Sequence, residues 1–211
     1  MRGCITLLCF QENKYPWLVR IFRHSGGISL CGGTLVSKRY VVTAAHCTAG
    51  LRADQLKIAI GAHNLNHVGS RWKPLSKFIA IKSKVEHPRY QPKGNGPFKP
   101  PYDSAVIELA EEVDINTYTP ACLARRGDDT TYDGLMATIA GWGQTSNPRG
   151  GRPGQTFTPN EVEVKVNTKE RCAKRGNILN YRENHNNNMM CVGVNEDRGT
   201  NLPASCRVSS S

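Results

Sequence analysis

His46 is the first side chain in this sequence placed to do chemistry. It ends the run Tyr40-Val41-Val42-Thr43-Ala44-Ala45-His46-Cys47, where strand-forming valines lead into an imidazole set directly against a cysteine. A histidine in a fixed position suits a general base, because proton transfer demands geometry held tightly. Upstream, Cys31-Gly32-Gly33-Thr34-Leu35-Val36 supplies a second short strand and a second cysteine. A bridge between Cys31 and Cys47 would close a hairpin-sized loop, worth roughly 3 kcal/mol in the chain-entropy model. It would also pin the backbone beside His46. A lone histidine next to a cysteine is more often structural, so the assignment needs support from elsewhere. Asp103 is a second candidate, but an acidic residue opening an apolar strand is by itself an ordinary strand-edge feature. His63 and His67 have the spacing of a metal pair but lack further ligands nearby, so they read as loop residues and no metal is predicted.

The elements that must hold these groups are strands. Tyr15 to Phe22 alternates in apolar character with Pro16 at its mouth, and Gly26-Gly27 is a turn before the strand leading to Cys31. Leu56 to Ile60 alternates again and ends at the turn glycine Gly61. Phe78 to Ile81 and Lys84 to Tyr90 are read as separate strand and turn segments. Gln91 to Pro101 holds four prolines and two glycines in eleven residues and is a loop. It feeds Asp103 and the apolar run Ala105 to Leu109. In the second half, Met136 to Gly143 sets small residues around Trp142, a pattern for tight turning against an indole. Glu161 to Val166 is a strict period-two strand with charges on one face. Asn180 to Asn188 is a polar surface loop.

The chain has 211 residues and a formal charge of +11, from 28 basic and 17 acidic side chains. That balance favours acidic partners such as heparin, although a basic domain with no charge-selected partner is the simpler reading. The basic residues are scattered rather than interleaved with aromatics, so nucleic acid is not indicated. No apolar run is long enough for a membrane-spanning helix. Eight cysteines without a CxxC pair argue for disulfides in an oxidising compartment, hence a secreted protein, rather than for zinc. The opening Met1 to Phe10 is a short apolar stretch running straight into Gln11-Glu12-Asn13-Lys14. With no small-residue cleavage site, it reads as a substituted beginning rather than an export signal.

Taken together, Cys31 to Val36, Val41 to Cys47, the Asp103 segment, Ala140-Gly141-Trp142-Gly143 and Met189-Met190-Cys191-Val192-Gly193 resemble the motifs of chymotrypsin-family (trypsin-like) serine proteases over Tyr15 to Cys206. The resemblance implies an all-β fold of two antiparallel six-stranded barrels, the second incomplete at its C-terminal end. Residues 1–14 would be a substituted N-terminal segment, 15–109 the first barrel, 110–117 a linker and 118–211 the partial second barrel. It implies His46 as general base and Asp103 as the carboxylate that fixes its tautomer. It excludes Ser104 as nucleophile. It implies bridges Cys31–Cys47 and Cys172–Cys191, and a partner for Cys122 ahead of the domain, with Cys4 and Cys9 both eligible. Relatives run on from the position of Cys206 through Gly-Asp-Ser-Gly-Gly-Pro, which carries the nucleophile and the oxyanion-hole donors. Here Arg207-Val208-Ser209-Ser210-Ser211 follows Cys206. Ser210 has the nucleophile's spacing but the wrong neighbours, Cys206 lacks its usual partner, and Ala204 falls at the floor of a specificity pocket without walls. No Ile-Val-Gly-Gly sequence precedes Tyr15, so zymogen activation of the usual kind is not expected. Calcium, held in some relatives by loop carboxylates, is not expected either, because no Asp or Glu lies between Gly61 and Lys77. The expectation is a serine endopeptidase domain acting on protein or peptide substrates, without cofactor, truncated and inactive as it stands. The alternative is a non-catalytic homologue that binds or regulates.

Overall fold

A computed structural model describes residues 8–9, 13–24, 29–63, 77–92, 102–124, 132–143, 158–168 and 191–193. The described strands are β1 (Leu8–Cys9), β2 (Leu18–Arg23), β3 (Ser29–Leu35), β4 (Tyr40–Thr43), β5 (Leu56–Ile60), β6 (Lys77–Glu86), β7 (Ala105–Leu109), β8 (Met136–Gly141), β9 (Asn160–Asn167) and β10 (Cys191–Gly193). Six of them close a barrel in the order β2-β3-β4-β7-β6-β5, every pair antiparallel. Closure leaves this sheet without an edge. The period-two pattern explains why these segments fold inward as they do. Val19 and Ile21 on β2, Val41 on β4, Ile58 and Ile60 on β5, and Ile107 and Leu109 on β7 are fully buried in one core.

The barrel is tight enough to dictate one residue type. A Cβ on Gly33 would meet Val41 Cγ1 at 2.9 Å, Val19 Cγ2 at 3.1 Å and the Val42 carbonyl oxygen at 3.2 Å. Glycine there lets β3 lie close against β4.

The two segments read separately as Phe78–Ile81 and Lys84–Tyr90 are one strand through Glu86, followed by a turn in which Tyr90 N–H donates to His87 O at 2.8 Å. The break in alternation is a bulge. Ile81 pairs with Leu109 and Ser83 with Glu108, so Lys82 is the extra residue. It flips the faces beyond it, which is why the pattern looked like two elements.

Among the described strands, β9 is the spine of a four-stranded second sheet. It pairs with β8 from Met136↔Lys165 to Gly141↔Asn160, and on its other side with β10 and with β1. Val162, Val164 and Val166 are buried and the charged residues face out, as the alternation predicts. Leu8 and Cys9, from the segment set apart on sequence, pair with Glu161 and Asn160 and so contribute backbone to this sheet. The barrel and the second sheet meet at Trp142, which packs with Phe22 and Ala59 and donates its Nε1–H to His63 O at 3.3 Å. The Arg20 guanidinium lies 5.6 Å from the Trp142 ring centre, and burial pulls its pKa down to about 10. Lys14 Nζ and Tyr15 Oη both donate to Glu161, at 2.7 and 2.6 Å. Among the described residues no helix is long and apolar enough to cross a membrane.

Candidate functional site

His46 sits in a turn fastened at both ends. Strand β4 ends at Thr43, whose hydroxyl donates to Gly32 O at 2.8 Å and ties β4 back to β3. Ala44 stays extended, and Ala45–Cys47 form one 3₁₀ turn closed by Thr48 N–H on Ala45 O. Cys47 is bridged to Cys31 with 6.0 Å between the Cα atoms, so the residue after His46 is covalently fixed to β3. Thr48 is fully buried, and its hydroxyl donates to Glu86 Oε1 at 2.8 Å. Burial alone would raise the Glu86 carboxyl. The hydrogen bonds from Lys84 and Thr48 outweigh it and hold the carboxyl below its ordinary value.

Asp103 lies just ahead of β7. Ser104 N–H donates to Tyr102 O at 2.8 Å, which places Asp103 at the apex of a three-residue turn. From there both carboxylate oxygens reach His46. The His46 backbone N–H donates to Oδ1 at 2.8 Å, and Nδ1 lies 2.7 Å from Oδ2. An ionised carboxylate only accepts, so this contact selects the tautomer with its proton on Nδ1 and leaves the Nε2 lone pair available. The His46 side chain is 37% exposed and that of Asp103 16%. The imidazole is therefore reachable from solvent while its carboxylate partner is largely shielded. The Cys47 sulfur lies 3.5 Å from Nε2 but carries no proton, being bridged. Cys31, His46 and Cys47 lie close together, yet both sulfurs are committed to the disulfide, so the three do not make a metal cage.

The structure thus brings His46, Asp103, Cys31 and Cys47 together. Cys172, the side chain of Cys191, His67, Ala204, Cys206 and Ser210 lie outside the described residues, as do Cys4 and the Cys9 side chain. Cys122 is exposed and forms no bridge among the described residues; Cys4 and the Cys9 side chain, the two partners that the resemblance made eligible, lie outside them. Sequence reading passed over Thr48, Lys84, Glu86 and Tyr102. The alternation Lys84-x-Glu86 was the only signal for a shared face, and nothing local linked it to Thr48.

Known proteins share much of this sequence. The family model described as Trypsin matches residues 9–202. The chain is 31% identical over 180 residues to Hypodermin-A of Hypoderma lineatum, covering 85% of this chain and 62% of that protein. It is 32% identical over 165 residues to Ovochymase-2 of Mus musculus, covering 77% and 24%, and 27% identical over 189 residues to Cathepsin G of Mus musculus, covering 89% and 64%. The chain therefore spans less than two thirds of each of these relatives. With the family's pattern running through nearly all of its length, and with the closed all-β barrel carrying a stapled histidine against an aspartate, the chain belongs to the trypsin family of serine proteases.

Proposed function

We propose that this domain serves peptide-bond hydrolysis, with His46 as general base and then general acid and Asp103 as the carboxylate that orients it. The observation that carries the reading is the two-oxygen contact of Asp103 with His46, at 2.8 Å to the backbone N–H and 2.7 Å to Nδ1. The nucleophile in this reading is a serine in a Gly-Asp-Ser-Gly-Gly setting. That string does not occur among the 211 residues. Nε2 would take the hydroxyl proton as oxygen attacks the peptide carbonyl, and would return it to the leaving amine; backbone N–H groups beside the serine would receive the oxyanion. The 211-residue polypeptide alone supplies the acid–base half of this chemistry and is inert, because loss of the nucleophile costs on the order of 10⁶ in turnover. The disulfide Cys31–Cys47 supports an extracellular setting.

A broad fluorophosphonate probe tests this. The 211-residue polypeptide is expected to stay unlabelled and to leave peptides intact, while any longer form bearing the motif labels at its serine and loses activity in His46→Ala. Labelling of Ser210, or a longer form in which His46→Ala cleaves normally, would sink the reading. The +11 charge supports a second one, a homologue kept for binding a polyanion. Retention on heparin at physiological salt, with no activity in any longer form, would favour it.

A further inference from the structure

We propose that Tyr102 is a positioning residue, clamped in a left-handed backbone conformation so that the next residue, Asp103, presents both carboxylate oxygens to His46. This rests on the reading of His46 and Asp103 as a catalytic pair. Tyr102 has φ 62°, a region that bulky aromatic residues rarely adopt and leave unless held. Asn13 is the other non-glycine residue with positive φ among those described, and asparagine tolerates it.

What holds Tyr102 is visible. Its ring stacks on His87 with centroids 4.8 Å apart and planes 16° from parallel. The Arg89 guanidinium lies 5.4 Å from the ring centre, and its Nη1–H donates to the phenol oxygen at 3.1 Å. The two holding residues are tied to each other, since Arg89 N–H donates to His87 Nδ1 at 3.1 Å.

The same turn also grips the far side of the aspartate. His87 N–H donates to Ser104 O at 2.8 Å, while Ser104 N–H donates to Tyr102 O at 2.8 Å. Asp103 is thus bracketed: the residue before it is held by a ring stack and a cation, the residue after it by a backbone bond, and both anchors belong to the turn that follows β6. Rotation of Tyr102 to negative φ would redirect the chain entering Asp103. One carboxylate could not then reach the His46 backbone N–H and Nδ1 together. A surface tyrosine that merely fills space has no need of a strained backbone or of partners on both sides of its neighbour.

The test reads the hydrogen-bonded Nδ1 proton of His46 by NMR in the 211-residue polypeptide, the signal being assigned by its loss in His46→Gln. Tyr102→Gly and Tyr102→Asn both accept positive φ but lack the ring. In each, that proton should exchange with water about tenfold faster than in the parent, because the aspartate turn opens more often. Tyr102→Phe keeps the stack and should exchange close to the parent rate. Methyl signals of Ile58 and Ile107 report that the barrel is intact, and Tyr102→Asn serves if Tyr102→Gly does not fold. Exchange as slow as the parent's in the ring-less variants overturns the clamp alone. A parent with no such proton overturns the pair and the clamp together.

Discussion

At the scale of single residues, the turn that carries His46 is tied down by a carboxylate that is not the one touching the imidazole. Glu86 receives the buried Thr48 hydroxyl at 2.8 Å and the Lys84 ammonium, and Thr48 closes the turn that carries His46. The charged form of Glu86 is favoured in the fold, so its carboxyl is held below the ordinary value of 4.5. A depressed carboxyl contributes stability that is fully present above its unfolded pKa and fades as pH falls through the folded one. Glu86→Gln keeps an acceptor for Thr48 but gives up the charge. It should therefore melt below the parent at pH 7, and the gap should close as pH is lowered past 4.5. Thermal melts at stepped pH check this; a gap that persists unchanged into acid would mean the charge is not what Glu86 supplies. Glu86→Leu leaves the buried Thr48 hydroxyl only its longer 3.3 Å contact with Ala45 O and takes the acceptor from a partly buried ammonium, and should cost about 1–3 kcal/mol more than Glu86→Gln.

At the scale of elements, the barrel fixes how far the two loops can drift. Strands β4 and β7 pair from Tyr40↔Glu108 to Thr43↔Ala105, so the His46 turn and the Asp103 turn leave adjacent strand ends. Gly33 keeps β3 close enough for the disulfide and the Thr43–Gly32 bond to form. Gly33→Ala sets a methyl against a carbonyl oxygen that belongs to a paired strand and cannot step aside. It should destabilise the barrel by about 1–3 kcal/mol, read as a lowered denaturant midpoint at constant slope; an unchanged midpoint would show that the two valines absorb the methyl. Much of this layer was legible. Leu56–Ile60 and Glu161–Val166 declared themselves by alternation, which on β9 follows from one buried and one open face, while on β5 the second face is also covered at Ala59, beneath Trp142. The bulge at Lys82 was not, since a single extra residue destroys the period that reveals a strand. The staple of Cys31 to Cys47 was readable from the cysteines flanking two strand patterns. That Asp103 meets His46 was not readable from local pattern at all and came from the family resemblance, as a contact between distant segments must. The positive φ of Tyr102 and the Thr48–Glu86 bond had no sequence signal, because both depend on what the neighbouring turn places beside them.

At the scale of the molecule, one of the groups at which the barrel meets the second sheet carries charge. Trp142 is 4% exposed, Arg20 6%, and the indole lies against the guanidinium, Phe22 and Ala59. Burial already disfavours the charged Arg20, which is why its pKa falls, and the indole face offsets part of that cost. Trp142→Ala removes the aromatic face, the bond to His63 O and most of the apolar contact in one step, while the Arg20 charge stays in place. The expected loss is about 3–5 kcal/mol, as for other buried tryptophans. The more telling expectation concerns where it falls. The barrel closes on itself and keeps its own core, whereas β9 has no closed sheet behind it among the described residues. Amide exchange at Val164 should therefore accelerate far more than at Ile58, with the second sheet opening while the barrel stays shut. Equal acceleration at both positions would mean that the two halves unfold as one unit, and that the joint at Trp142 is part of a single core rather than a seam between two.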